Sequence, residues 1–122
     1  MLQSYVMMLH MSAGTEWTLV DARAMATMHP NTFEIPTSDE IKSLKKGSLV
    51  KLIFDITDRK PGQPLGEKMW VEITSIKNDD YTGRLDNDPK YIKSLHTGSE
   101  VDFEVENIAS IWVDSLPVEP RK

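Results

Sequence analysis

The sequence predicts the α+β class: a twisted, strongly curved and mostly antiparallel sheet with short helices joined to it. Three observations predict it. SLVKLIFDIT and EVDFEVENI alternate apolar and polar residues with the period of two that a half-buried strand requires. GEKMWVEITSIKNDDYTGRLDNDP reads as two strands about a polar turn. Between these lie compact segments with helix caps in front and glycine behind.

In chain order, residues 1–14 hold an apolar stretch interrupted by His10, with no basic segment before it. That pattern favours an opening strand or helix over a cleaved leader. TEWTLV then runs into DARAMATMHP, where Asp21 caps a helix over 22–28 and Pro30 biases His29 out of helical geometry. Ala22, Met25, Ala26 and Met28 give this helix an apolar face. A methionine face can serve as an adaptable binding groove, but core filling is the favoured reading. NTFEIPT is an extended connector with Phe33 and Ile35 pointing the same way. TSDEIKSLKKG predicts a helix over 38–46, with Thr37 and Glu40 as a capping box and Gly47 as the left-handed exit. Its acidic first turn and basic last turn complement the helix dipole, and Ile41 and Leu44 face inward.

The strand over 48–57 puts Val50, Leu52, Phe54 and Ile56 on one face and Leu49, Lys51, Ile53, Asp55 and Thr57 on the other. DRKPGQPLG is a loop by its proline and glycine content, the segment expected to be mobile. It lacks the G-x-x-x-x-G-K-[ST] spacing of a phosphate loop. In the strand over 68–77, Met69, Val71 and Ile73 share one face, and Trp70, Glu72, Thr74 and Ile76 share the other. Asn78-Asp79-Asp80 predicts a turn of more than two residues, because no glycine follows. The return strand over 80–86 aligns Tyr81, Gly83 and Leu85. Asp88 and Pro89 then predict the cap and first position of a third helix over 89–96. The strand over 100–107 turns Val101, Phe103 and Val105 inward; IASIWV extends it after a kink, and SLPVEPRK is a tail.

An internal echo links two of these segments. IKSLKKGSLVKL (41–52) and IKSLHTGSEVDF (92–103) share Ile, Lys, Ser, Leu, Gly, Ser and Val in register, and each predicts a short helix, a glycine exit and a strand. Duplication is one origin; independent arrival at a good helix-to-strand turn is favoured, since solenoid repeats run for several copies.

Composition excludes several functions. At 122 residues the chain suits a single domain, 1–122, with its core over about 20–113 and peripheral segments at 1–14 and 114–122. A 39% hydrophobic and 27% charged composition argues against disorder throughout. The net charge of −5 disfavours nucleic-acid binding, which needs a dense Lys/Arg surface, and suits a basic or neutral protein partner. With no cysteine there is no disulfide framework, thiolate metal site or Cys nucleophile, which fits a reducing, cytoplasmic setting. No apolar run approaches the roughly 18 residues that span a bilayer, so no membrane role is expected.

Chemical motifs are equally sparse. Asp79, Asp80, Asp86 and Asp88 suggest a metal, but calcium loops close on a distant bidentate Glu, and Pro89 begins a new element instead. Turn chemistry plus an N-cap is the favoured reading, and no metal or other cofactor is expected. His10, His29 and His96 are far apart and belong to no H-E-x-x-H pattern, and there is no G-x-S-x-G. Catalysis is therefore disfavoured. Trp70 raises a better question. Facing outward, it is a candidate anchor for a partner, because tryptophan is enriched at interface hot spots. The favoured reading, however, buries it beneath the 22–28 helix or the N-terminal segment, because a domain with helices on one sheet face must bury something there.

Glu67, Met69-Trp70-Val71, Gly83, Leu85, Asn87, Pro89, Leu95, Gly98, Val101 and Ile108 together resemble the YegJ-like family, small bacterial proteins with a domain of unknown function. Ala22-Arg23 and Phe33 extend the resemblance to about residues 20–113. It implies a compact, partly barrel-like sheet and no established activity, with a hint of toxin-immunity proteins. One departure is the close, where the family tends to carry Asp-Trp and this chain has Ile111-Trp112. The expected function is a non-catalytic binding module for another protein, contacting it through Trp70, Glu72, Arg84, Asp86 and Asn87. The alternative is a small-molecule binder or enzyme with a pocket near Trp70, Arg84 and Asp86–Asp88.

Overall fold

The computed structural model describes residues 16–57 and 59–112. The elements predicted for 1–14 and 114–122 lie outside them. The described residues form one six-stranded, antiparallel, nearly closed barrel-like sheet with two short helices, which is the predicted α+β class. In chain order these are β1 (Trp17–Leu19), α1 (Ala22–Met28), α2 (Ser38–Lys42), β2 (Leu49–Ile56), β3 (Gly66–Lys77), β4 (Asp80–Leu85), β5 (Glu100–Glu104), a 3-10 turn (Val105–Asn107) and β6 (Ile108–Ile111). Strand β2 is the spine. It pairs with β3 along one edge, while its other edge is shared by β6 near Val50–Leu52 and β1 near Phe54–Ile56.

The alternation seen in the sequence sets the core. Every second residue of β2 from Val50 to Ile56 is buried, as are Met69, Val71 and Ile73 of β3. Val101 and Phe103 of β5 close over them, with the Phe103 ring stacked on Tyr81 at 5.3 Å. Trp17 meets Phe54 edge-on at 5.2 Å, a packing role that matches its place at the start of the domain.

Several local expectations need correction. Strand β1 and the separate strand β6 enlarge the predicted four-stranded sheet. The 3-10 turn lets β6 leave β5 and return to β2, so 108–111 is no continuation of the 100–107 strand. The β3–β4 turn has two residues, because Asn78 itself adopts φ 58, a left-handed conformation that asparagine tolerates without a following glycine. A bulge between Ile73 and Ser75 shifts the register, so Ile76 pairs with Tyr81 and packs against the core instead of sharing the face of Trp70. Of the α1 face, Ala22 is buried and Met28 is 68% exposed, so this helix covers the core less than its composition suggests.

Helix α2 has the predicted capping box but ends at Lys42, with Leu44 dropping into the core. The helix expected over 89–96 does not form. Its N–H groups have better partners: Ser94 donates to Glu16 Oε1 at 2.9 Å and His96 to Ser99 Oγ at 2.9 Å. Residues 86–99 are instead a loop whose neck is closed by Leu85, which donates to Ser99 O and accepts from Gly98 N–H, both at 2.8 Å. Ile92 fixes its interior end in the core.

Candidate functional site

The five predicted site residues are brought together on the outer face of β3 and β4. Trp70 and Glu72 alternate with the buried Met69, Val71 and Ile73, and so point away from the core. Glu72 lies directly opposite Arg84, and their side chains pair at 3.4 Å. Both are largely solvated, so the pair contributes little to stability and stays available to a partner. Asp86 donates its N–H to Trp70 O at 2.9 Å, and Asn87 Oδ1 accepts the Trp70 N–H. Asn87 thus works as backbone scaffolding that continues the β3–β4 ladder with a side chain.

Two further residues belong to this face. The Trp112 ring meets Trp70 edge-on at 5.1 Å, and Lys51 Nζ lies 5.0 Å from the Trp70 ring centre. Trp112 is 42% exposed. Lys51 was recoverable from the β2 alternation; Trp112 was not, because its position depends on β6 turning back to β2. Among the described residues, the ring contacts shown for Trp70 are thus to Trp112, just past β6, and to Lys51 of β2.

The aspartates do not converge. Asp79 and Asp80 sit at the β3–β4 turn, whereas Asp86 and Asp88 follow the far end of β4. Asp88 accepts from Thr97 Oγ1 and staples the loop, in place of capping a helix. The dominant acidic contact is Glu67. Its carboxylate accepts the N–H groups of Lys90, Tyr91 and Ile92 at 2.8, 2.6 and 3.0 Å. A carboxylate thus fills a cradle of successive amides that would otherwise suit an anion. Among the described residues no group of three or more His, Asp or Glu side chains could hold a metal ion.

A cleft of about 570 Å³ lies at the opposite end of β4 from Trp70, lined by β1, β4, β5 and Asn107. It does not coincide with the pocket expected near Trp70, Arg84 and Asp86–Asp88. Here a hydrogen bond with Glu106, with repulsion from Glu106, Asp80 and Asp79, holds the Glu104 carboxyl above its usual range. Burial likewise pushes the Tyr81 hydroxyl up.

No described helix is long and apolar enough to cross a membrane. Comparison with curated proteins and with solved structures gives no match. A family model does match, over residues 16–115, a span that runs from β1 past β6 and includes the Trp70 face, the loop and the cleft. The chain therefore belongs to DUF2314, a family described as uncharacterized proteins conserved in bacteria.

Proposed function

We propose that this chain is a non-catalytic module that recognises another protein through the Trp70 face, in a cytoplasmic and immunity-like role. The supporting observation is the Trp70–Trp112 pair, flanked by Lys51 and by the solvated Glu72–Arg84 pair. Two tryptophans and an arginine within one outer face are the residue types that dominate interface energetics. The quoted Met69-Trp70-Val71, Gly83 and Asn87 signature supports the narrower likeness to YegJ-like proteins, and the lack of cysteine suits a reducing compartment.

The small-molecule alternative near Trp70 has less support. Asp86 and Asn87 are engaged with the β3 backbone there, and the large cleft lies elsewhere. The test is a quantitative pull-down from a bacterial extract with wild-type and Trp70→Ala baits. One protein retained near equimolar amounts, and lost at least about tenfold with Trp70→Ala, is the expected result. No equimolar partner, or retention indifferent to both Trp70→Ala and Arg84→Ala, overturns it.

A further inference from the structure

A second surface, separate from the Trp70 face, lies where the barrel fails to close. Strand β5 pairs with β4 on one edge, and β1 pairs with β2 on one edge. Their other edges face each other across the cleft. Hydrogen-bond parity identifies the outward groups. Leu85 donates to Ser99 O, so with β4 and β5 in register the bonded pairs fall at Gly83–Val101 and Tyr81–Phe103. The backbone N–H and C=O groups of Glu100, Asp102 and Glu104 therefore point away from β4. On β1, Val20 donates to Ile53 O and Thr57 to Glu16 O, which by the same parity turns Trp17 and Leu19 outward.

Asn107 closes one end of this seam. Its Oδ1 accepts the outward Glu104 N–H at 2.8 Å, and its Nδ2 donates to Val20 O at 3.1 Å. Beyond that latch the edge at Asp102 opens on the cleft. Its two faces differ in chemistry. The inner wall is Leu19, Tyr81 and Phe103; the outer rim carries Asp80, Asp102 and Glu104, with Glu100 further along β5.

The geometry points to strand addition: an extended protein segment with alternating basic and apolar residues docks along the edge of β5 that pairs with no other described strand. Its backbone would complete the ladder at Asp102, as in other edge-pairing modes, while alternate side chains are read by the two faces. Basic residues lie beside Glu100, Asp102 and Glu104; apolar ones enter beside Phe103 and Leu19. Charge selects this occupant over a second copy of the chain, whose net charge is −5 and whose own β5 edge is acidic.

The test uses nitrogen-labelled full-length protein and the peptide acetyl-Lys-Val-Lys-Val-Lys-amide, read by amide shifts and exchange. In the free protein the Asp102 N–H is expected to exchange at least about tenfold faster than those of Val101 and Phe103. The lysine peptide should slow exchange at Asp102 and shift β1 and β5 resonances, and the Glu-Val-Glu-Val-Glu counterpart should do neither. Asp102→Asn with Glu104→Gln keeps the oxygens that receive the Thr82 and 3-10 turn bonds, and should weaken binding about tenfold at low salt. Equal binding by an alternately N-methylated lysine peptide or by spermidine overturns the strand mode. So do shifts confined to the Trp70 face and the absence of any change at millimolar peptide.

Discussion

The two echoing segments use the same residues differently. In both, a Lys or His N–H donates to the Ser Oγ three residues on, and that Ser N–H returns to the first carbonyl. Gly47 and Gly98 sit at φ 93 and 94, the left-handed conformation such turns require. Each turn then grips one buried strand residue: Ile73 bonds Gly47 N and Ser48 O, and Leu85 bonds Gly98 N and Ser99 O, all at 2.8 Å. Upstream the likeness ends. Ile41 belongs to a helix and Leu44 carries the burial; Ile92 belongs to a loop and is itself the buried anchor, with Leu95 half-buried. The difference traces to Glu67 and Glu16, acids from other parts of the chain that take the loop's N–H groups. The shared IKSL stretch thus ends a helix or sits in a loop according to its own flanking residues and to what tertiary contacts offer the backbone.

The largest expected effect separates the matched isoleucines. Ile92→Ala should cost about 2–5 kcal/mol in chemical unfolding, and Ile41→Ala, half-buried, clearly less. Equal losses would break the comparison. Glu67→Ala should cost about 2–3 kcal/mol, since charge-assisted bonds to three amides are lost together. Hydrogen exchange should then rise in residues 90–99 and remain unchanged in 41–48. Next, Gly47→Ala and Gly98→Ala should each cost about 1–2 kcal/mol, because alanine strains the left-handed conformation. Matching values would sharpen the identity of the two turns.

The smallest effect is in pH dependence. Hydrogen bonds from Ser94 hold the Glu16 carboxyl below its usual range. Its contribution is present above the unfolded carboxylate pKa and is lost as pH falls through the lowered value. Glu104 is raised, chiefly through Glu106, so its contribution is present at acid pH and is lost as pH rises through the raised value. Glu16→Gln should therefore destabilise slightly at neutral pH and not at strongly acid pH, with the effect centred on the second segment. Glu104→Gln should show the opposite trend, a gain at neutral pH that fades with acid. Parallel profiles for the two variants would contradict these assignments.

Much of the fold was legible because it is written with a period of two. The faces of β2 and β5, the capping box at Thr37 and the Asp21 cap follow from nearest neighbours along the chain. Apart from the two-residue turn at Asn78, which is a matter of local turn chemistry, the failures are non-local. Three residues of β1 are too few to carry a pattern, and the bulge that turns Ile76 inward is set by its pairing with β4. The 86–99 loop defeated a helix-like sequence through an acceptor at Glu67, twenty-odd residues upstream. At the candidate site, Trp70, Glu72 and Arg84 were readable from alternation. Trp112 and the β1–β5 seam were not, since the first depends on β6 folding back onto β2 and the second on β1 pairing with β2.

Protein recognition by the Trp70 face is tested most directly by a hydrogen-exchange map of the captured complex against the free chain. Slowed exchange over residues 68–72, 84–87 and 108–112, abolished together with binding by Trp70→Ala, is the predicted result. A stable complex that leaves those backbones unaltered, or protection produced there by a small metabolite in place of a protein, would contradict it.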